Sequence, residues 1–252
     1  MEPKMESVLA AAAVEFRRLA AASGAGGCKG LEIGGPSWLF GNSVYGALTS
    51  VDGVDRECVI RRRAGAEGEG QFAVDIAEPW CVRTQRGRQY AGEATDLRGV
   101  VADGSYDAVL CLHLLQRIAN PLKALREWAR VLRPGGHALL IVPDRHHGFD
   151  HRRAVTDRAV LTDKLERDVG EGDLSSLEEI LALHDLAMDP PAGTPVQFQD
   201  RGLRNEENRC LHHHVFDLPL LRWAAEAAGL EAVRQGATGI NQALLCRKPA
   251  AP

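Results

Sequence analysis

The chain has no paired cysteine motif. Its six cysteines (Cys28, Cys58, Cys81, Cys111, Cys210 and Cys246) are scattered, with no C-x-x-C among them. That spacing argues against a disulfide framework and for reduced, mostly buried thiols, as in a cytoplasmic protein. No segment approaches the roughly 18 apolar residues that a membrane-crossing helix needs, so no membrane partner is expected. Nor is a secretory leader expected: Glu2 and Glu6 stand where a signal peptide is basic, and Glu15, Arg17 and Arg18 break the apolar stretch that follows. Basic excess is also missing. Lys and Arg total 30 against 34 Asp and Glu, a net charge of -4, so nothing global favours nucleic acid. The one basic cluster, Arg61-Arg62-Arg63, sits in Gly- and Glu-rich sequence and reads as a solvated loop. Internal repeats are absent, and the only biased tract is the alanine-rich start.

What remains is an ordinary globular composition, 252 residues at 45% hydrophobic. It suits one large domain or two small ones. Leu9, Ala12, Phe16 and Leu19 recur at helical spacing and predict an amphipathic N-terminal helix. Apolar runs over 31–33, 47–51, 89–92, 106–112 and 138–142 predict strands, with 61–88 between the second and third as an insertion or loop. Asn120-Pro121 supplies an N-cap and a first-turn proline for a helix that ends at Arg133-Pro-Gly-Gly136. Continuous apolar strands alternating with helices predict a parallel sheet covered on both faces. Residues 143–214 differ, being polar and rich in His, Arg and Asp. Ser175-x-x-Glu178 and Ser176-x-x-Glu179 offer capping boxes for a helix over 177–186, and the region reads as a helical cap. Strand-like 212–216, helical 218–228 and strand-like 242–246 close the chain.

In an open parallel sheet, ligands sit at the carboxyl ends of the strands. Glu32, Gly34 and Gly35 follow the first expected strand, and the glycines permit a sharp turn and close backbone approach. Asp52 follows the second, near the roughly 20-residue offset at which an acidic residue meets a ribose in dinucleotide folds. Asp96 follows the third and His113 the fourth. Acidic or polar residues at four consecutive strand ends favour a cofactor containing a nucleoside. The first turn is not G-x-G-x-x-G, and neither a basic residue there nor a P-loop lysine is present to meet a pyrophosphate. A cofactor with a ribose and no phosphate fits, and S-adenosylmethionine is the common one.

The ordered segments LEIGGPS (31–37), GEATDL (92–97), SYDAVLCLHLL (105–115), NPLKALREWARVLRPGG (120–136) and HALLIVP (137–143) resemble the motifs of class I S-adenosylmethionine-dependent methyltransferases over residues 28–143. FDHRRAVT (149–156), LEEILALHDLAMDPPAG (177–193) and NRCLHHHVFD (208–217) resemble a bacterial subgroup called methyltransferase type 11. The resemblance implies a Rossmann-like α/β fold: a seven-stranded, mostly parallel sheet with helices on both faces and a helical cap insertion. The expected division is an N-terminal helix (1–27), a cofactor-binding core (28–143), a cap (144–211) and a C-terminal strand-helix-strand (212–252). It also implies that Glu32, Gly34, Gly35 and Pro36 form the turn and methionine end of the cofactor site. Asp52 would hold the ribose, Asp96 and Leu97 would flank the adenine, and Leu112 and His113 would lie under the sulfonium. One departure stands out: the family often has Glu-His where this chain has Gln116-Arg117, at the mouth of the expected pocket.

Methyl transfer to a hydroxyl needs a base, and histidine suits that task near neutral pH. Two tracts supply candidates: His146, His147 and His151, then His212, His213 and His214. In an extended segment, His212 and His214 point one way and His213 the other. His151 and His214 are expected as base or positioning groups, with His113 next to the methyl. His147, Asp150, Arg153 and His213 are expected to contact the substrate. The expected activity is methylation of a small molecule, most readily at oxygen, by a monomer or homodimer. Two rivals remain: a methyltransferase-like binding protein without turnover, and a metal-dependent enzyme using Asp144, His147, Asp150, His151 and His214. No helical His-x-x-x-His spacing supports a metal, so none is expected.

Overall fold

The computed structural model describes residues 4–56, 71–78 and 81–250. Cys58 and Arg61-Arg62-Arg63 lie outside the described residues. Among the described residues, eight strands form one sheet: β1 (Lys29–Ile33), β2 (Ser50–Asp55), β3 (Gln71–Glu78), β4 (Cys81–Ala91), β5 (Tyr106–Leu112), β6 (Leu132–Pro143), β7 (Glu231–Thr238) and β8 (Asn241–Arg247). Their order is β3-β4-β2-β1-β5-β6-β8-β7. The strands from β4 through β6 pair in parallel, whereas β8 is antiparallel to both β6 and β7. These seven are the expected Rossmann-like sheet. Strand β3 adds an eighth at the edge, antiparallel to β4.

The central strands are apolar on both faces because both faces are covered. In β5, Val109 and Cys111 join one core cluster while Ala108 and Leu110 join the other. In β6, Ala138, Leu140 and Val142 alternate in the same way with Leu139 and Ile141. This is the two-residue period of a strand, with both phases apolar. Helix α1 (Met5–Ala22) covers the second face with Val8, Ala12 and Phe16. Helices α2 (Pro121–Val131) and, near the C-terminus, α7 (Leu218–Ala227) cover the first. The Asn120 side chain accepts from Lys123 N at 3.1 Å, as an N-cap should.

The cap lies between β6 and α7 and is built of short helices: α3 (Arg158–Glu166), α4 (Leu177–Leu183), α5 (Pro195–Leu203) and α6 (Asn205–Asn208). Asn120 Nδ2 donates to Lys164 O on α3 at 2.9 Å, tying the cap to the start of α2.

Several expectations are corrected. The second strand runs over Ser50–Asp55 and does not stop at Val51. Asp52 resembles a terminator in sequence but is matched inside the sheet by Lys29 and Tyr106. Residues 71–88, expected as loop, form β3 and most of β4, and the strand expected over 89–92 is the end of β4. The 212–216 segment has no strand partner and crosses the carboxyl edge as irregular chain. Strand β7 is additional to the expected strands: it buries only Gly236 and lacks the apolar run that marks the central strands. Neither Ser175 nor Ser176 caps α4 by its side chain; Ser175 turns to Asp173, and the capping box forms instead at Thr194 and Gln197.

Trp128 is the largest wholly buried side chain among the described residues, and its indole Nε1 donates to Ala94 O at 2.9 Å. It therefore anchors the loop after β4 as well as the core. We expect Trp128→Ala to lower stability by about 3–5 kcal/mol, read by denaturant unfolding. A loss below 1 kcal/mol would contradict this packing.

Candidate functional site

Two cavities meet at the carboxyl edge of the sheet. The first, about 290 Å³, is lined by Ile33 and Gly34 where β1 ends, Val54 and Asp55 at the end of β2, Glu93, Ala94 and Thr95 after β4, and Leu112 and His113 where β5 ends. Gly34 has φ of +81°, a left-handed conformation that favours glycine. At Gly35 a Cβ would overlap the Glu32 carboxylate, so the turn requires glycine there. Glu32 is buried under that turn, where Tyr45 Oη donates to its Oε2 at 2.6 Å. Glu32, Gly35 and Pro36 thus shape the wall from behind, while Gly34 reaches the cavity.

Residues of the cap close over this cavity. Glu171, Glu207, Asn208 and Arg209 line it. Arg209 spans from Glu93 (3.0 Å) to Glu171 (2.6 Å), and Arg56 meets Glu93 at 3.6 Å and donates to Glu207 O at 2.9 Å.

Three expected cofactor residues lie elsewhere. Asp52 is in mid-strand and buried; its Oδ2 accepts from Tyr106 Oη at 2.6 Å, its Oδ1 from Arg88 N at 2.8 Å, and Lys29 Nζ is 3.0 Å away. Burial opposes its charge, but these donors outweigh it and hold the carboxyl below the usual range. Asp55, three residues on, is the β2 carboxylate that lines the cavity. Asp96 is exposed and accepts from Arg98 N at 3.2 Å. Leu97 is wholly buried in the core. Glu93, Ala94 and Thr95 take the cavity-lining place expected of them.

The second cavity, about 270 Å³, opens beside the first and shares His113 and Arg117 with it. Gln116, Asp150, His212 and His214 supply its polar wall, and Phe149, Met188, Phe216 and Ile240 its apolar wall. His113 stands between the cavities with φ of +50°, a conformation that costs a non-glycine residue roughly 1–3 kcal/mol. Its backbone N donates to Ile141 O at 2.9 Å, and its Nε2 lies 2.8 Å from Asn241 Oδ1.

Sequence reasoning named His214 and missed its neighbour. His212 Nδ1 lies 2.6 Å from Asp150 Oδ2, which fixes the ring so that Nε2 carries the lone pair. That Nε2 is 3.5 Å from Gln116 Nε2, on the cavity wall. Asp150 is held in turn by Arg153 Nη1 at 2.9 Å. Arg153 is fully buried and also donates to His212 O and His213 O, so it supports the wall without lining it. His213 faces away and meets Asn205 at 2.9 Å. His151 also lies off the cavity, paired with Asp185 at 2.9 Å. His147 lines the rim and is mostly exposed. Among the described residues, no group of three or more His, Cys, Asp or Glu side chains converges as a metal site. Likewise, no helix among them is long and apolar enough to cross a membrane.

Burial keeps the triplet neutral, lowering His212 and His213 to about 4 and His214 to about 3. An unfolded histidine titrates near pH 6.5, so acid favours the unfolded chain. This stability is complete above about pH 6.5 and is lost as pH falls toward 4, at up to about 1.4 kcal/mol per pH unit for each group. Melting between pH 7 and 4.5 is expected to be less steep in His213→Gln than in the parent protein. Equal slopes would mean that His213 is not held neutral by the fold.

A family model described as a methyltransferase domain matches residues 9–235. A ubiquinone biosynthesis O-methyltransferase of Vibrio parahaemolyticus is 23% identical over 125 residues, which is 50% of this chain and 48% of that enzyme. The match thus spans about half the length of this curated relative. Among solved structures, a SAM-dependent methyltransferase from Aquifex aeolicus is similar at 12% identity, covering 88% of this chain and 82% of its own, with a TM-score of 0.44. An O-methyltransferase family protein from Burkholderia thailandensis is similar at 13% identity over 89% of this chain and 52% of its own, with a TM-score of 0.47.

Proposed function

The chain belongs to the methyltransferase-domain family, the class I S-adenosylmethionine-dependent methyltransferases, and on that premise we propose that it methylates a hydroxyl of a small molecule in the second cavity. S-adenosylmethionine is its cofactor, and the first cavity fits it. Gly34 brings main chain without a side chain to the methionine end, Asp55 a carboxylate for the ribose hydroxyls, and Glu93, Ala94 and Thr95 an edge for the adenine. When bound, S-adenosylmethionine would supply a methyl group activated by its sulfonium, a leaving group that keeps the C–S electron pair.

The rest falls to the chain's own residues. The observation that carries the oxygen reading is the Asp150–His212 pair on the wall of the second cavity. Burial leaves His212 Nε2 unprotonated near neutral pH, ready to take a hydroxyl proton. The Asp150 carboxylate stabilises the imidazolium that results. His113, at the junction of the cavities, is placed to orient the acceptor, and the apolar wall excludes water.

Two measurements test this. Calorimetry should detect S-adenosylhomocysteine binding to the purified chain. Release of S-adenosylhomocysteine should then occur with hydroxyl compounds and not with the matching amines or thiols. Turnover on amines alone would overturn the oxygen reading, and cofactor binding with no turnover would favour a binding protein.

A further inference from the structure

The second cavity carries charge that the base does not explain. Arg117 replaces the histidine common in the family, and it lines both cavities. Its Nη1 donates to Cys210 O at 2.9 Å and more weakly to Arg209 O at 3.4 Å. Among the described residues, no carboxylate lies within ion-pair distance of it. Arg145, also on the wall, donates to Arg153 O at 2.8 Å and likewise lacks a carboxylate partner among those residues. Asp150 is matched by Arg153, which leaves Asp144 as the nearby acid. The wall therefore presents two guanidiniums, those of Arg117 and Arg145, that no carboxylate among the described residues pairs.

The same wall holds buried acceptors that meet no donor among the described residues. Gln116 is 2% exposed; its Nε2 donates to His113 O at 2.8 Å, and its Oε1 has no partner. His214 is 1% exposed; its Nε2 lies 3.0 Å from Ala119 O, and its Nδ1 has no partner. A buried acceptor left unmet forfeits the hydrogen bonds it would make to water, a loss that a ligand hydroxyl would relieve. A half-buried guanidinium with free donors is suited to a carboxylate, which it can grip with two parallel hydrogen bonds.

We propose that the acceptor is a small hydroxylated carboxylic acid, its carboxylate held by Arg117 and its hydroxyl set among Gln116, His212 and His214. This rests on the oxygen reading above and names its substrate class. The cavity volume and the walls of Phe149, Phe216, Met188 and Ile240 suit a frame of about one ring.

The test is calorimetry on protein saturated with S-adenosylhomocysteine, using 3-hydroxybenzoate, 4-hydroxybenzoate and mandelate beside their methyl esters. At least one acid should bind tenfold or more tightly than its ester. With each variant saturated with S-adenosylhomocysteine in the same way, Arg117→Gln should remove that preference and Arg117→Lys should keep part of it, and a thermal melt of each variant serves as the folding control. The proposal is overturned if no acid binds, if esters bind as well as acids, or if Arg117→Gln keeps the preference. Equal loss of S-adenosylhomocysteine binding in both variants would assign Arg117 to the cofactor's own carboxylate and overturn it as well. Failure of the oxygen reading looks different: the charge preference would stand, while His212→Gln left turnover unchanged.

Discussion

Replacing His212 by glutamine is expected to slow methyl transfer by about 10²–10⁴-fold, the usual contribution of a positioned general base. Cofactor affinity should not change, because His212 lines the second cavity and not the first. The effect is large because, among the described residues that line the cavity, His212 is the imidazole hydrogen-bonded to a carboxylate. His214 Nε2 is committed to Ala119 O, His113 Nε2 faces Asn241, and His151 lies off the cavity with Asp185. Asp150→Asn should also slow the reaction, because an amide does not stabilise an imidazolium as a carboxylate does. The double variant should be little slower than His212→Gln alone, since the pair acts as one unit. Effects that multiplied would show the two residues to act separately.

The second large effect is on the cofactor. Asp55→Ala should weaken S-adenosylhomocysteine binding by about 100-fold or more, because charge-assisted hydrogen bonds contribute about 1.5–3 kcal/mol each and a ribose offers two hydroxyls. Unfolding stability should change little, as Asp55 stands half-buried at a strand end. Asp52→Ala should behave in the opposite sense. It would strand Lys29 and Tyr106 inside the sheet edge and so lower the melting temperature, with only an indirect effect on affinity. Calorimetry and thermal melts on both variants separate the roles. Strong loss of affinity in Asp52→Ala with Asp55→Ala unaffected would return the ribose to Asp52.

The contrast between these aspartates marks how far the sequence could be read. The run VDGVD has two acids and a glycine, which locally resemble a strand ending. What continues the strand is a set of partners far along the chain: Lys29 on β1, Tyr106 on β5 and the Arg88 backbone on β4. The same limit hid His212. The alternation of extended chain put His212 and His214 on one side, and both do line the cavity. Choosing between them needed Asp150, which lies 62 residues away in sequence and only 2.6 Å away in space.

Local chemistry alone determined much of the rest. Apolar runs at both phases of the strand period required a sheet buried on both faces, and Asn120-Pro121 set the start of α2. The glycine pair after β1 required a turn that a Cβ would obstruct. These follow from sterics, capping and burial, which act over a few residues. Tertiary structure decided which carboxylate reaches the first cavity, which histidine is held by an acid, and that Arg117 faces both cavities. Those outcomes depend on where each strand stops against its neighbours and on how the cap folds back over the sheet. Partners that meet only after folding leave no period or spacing in the sequence.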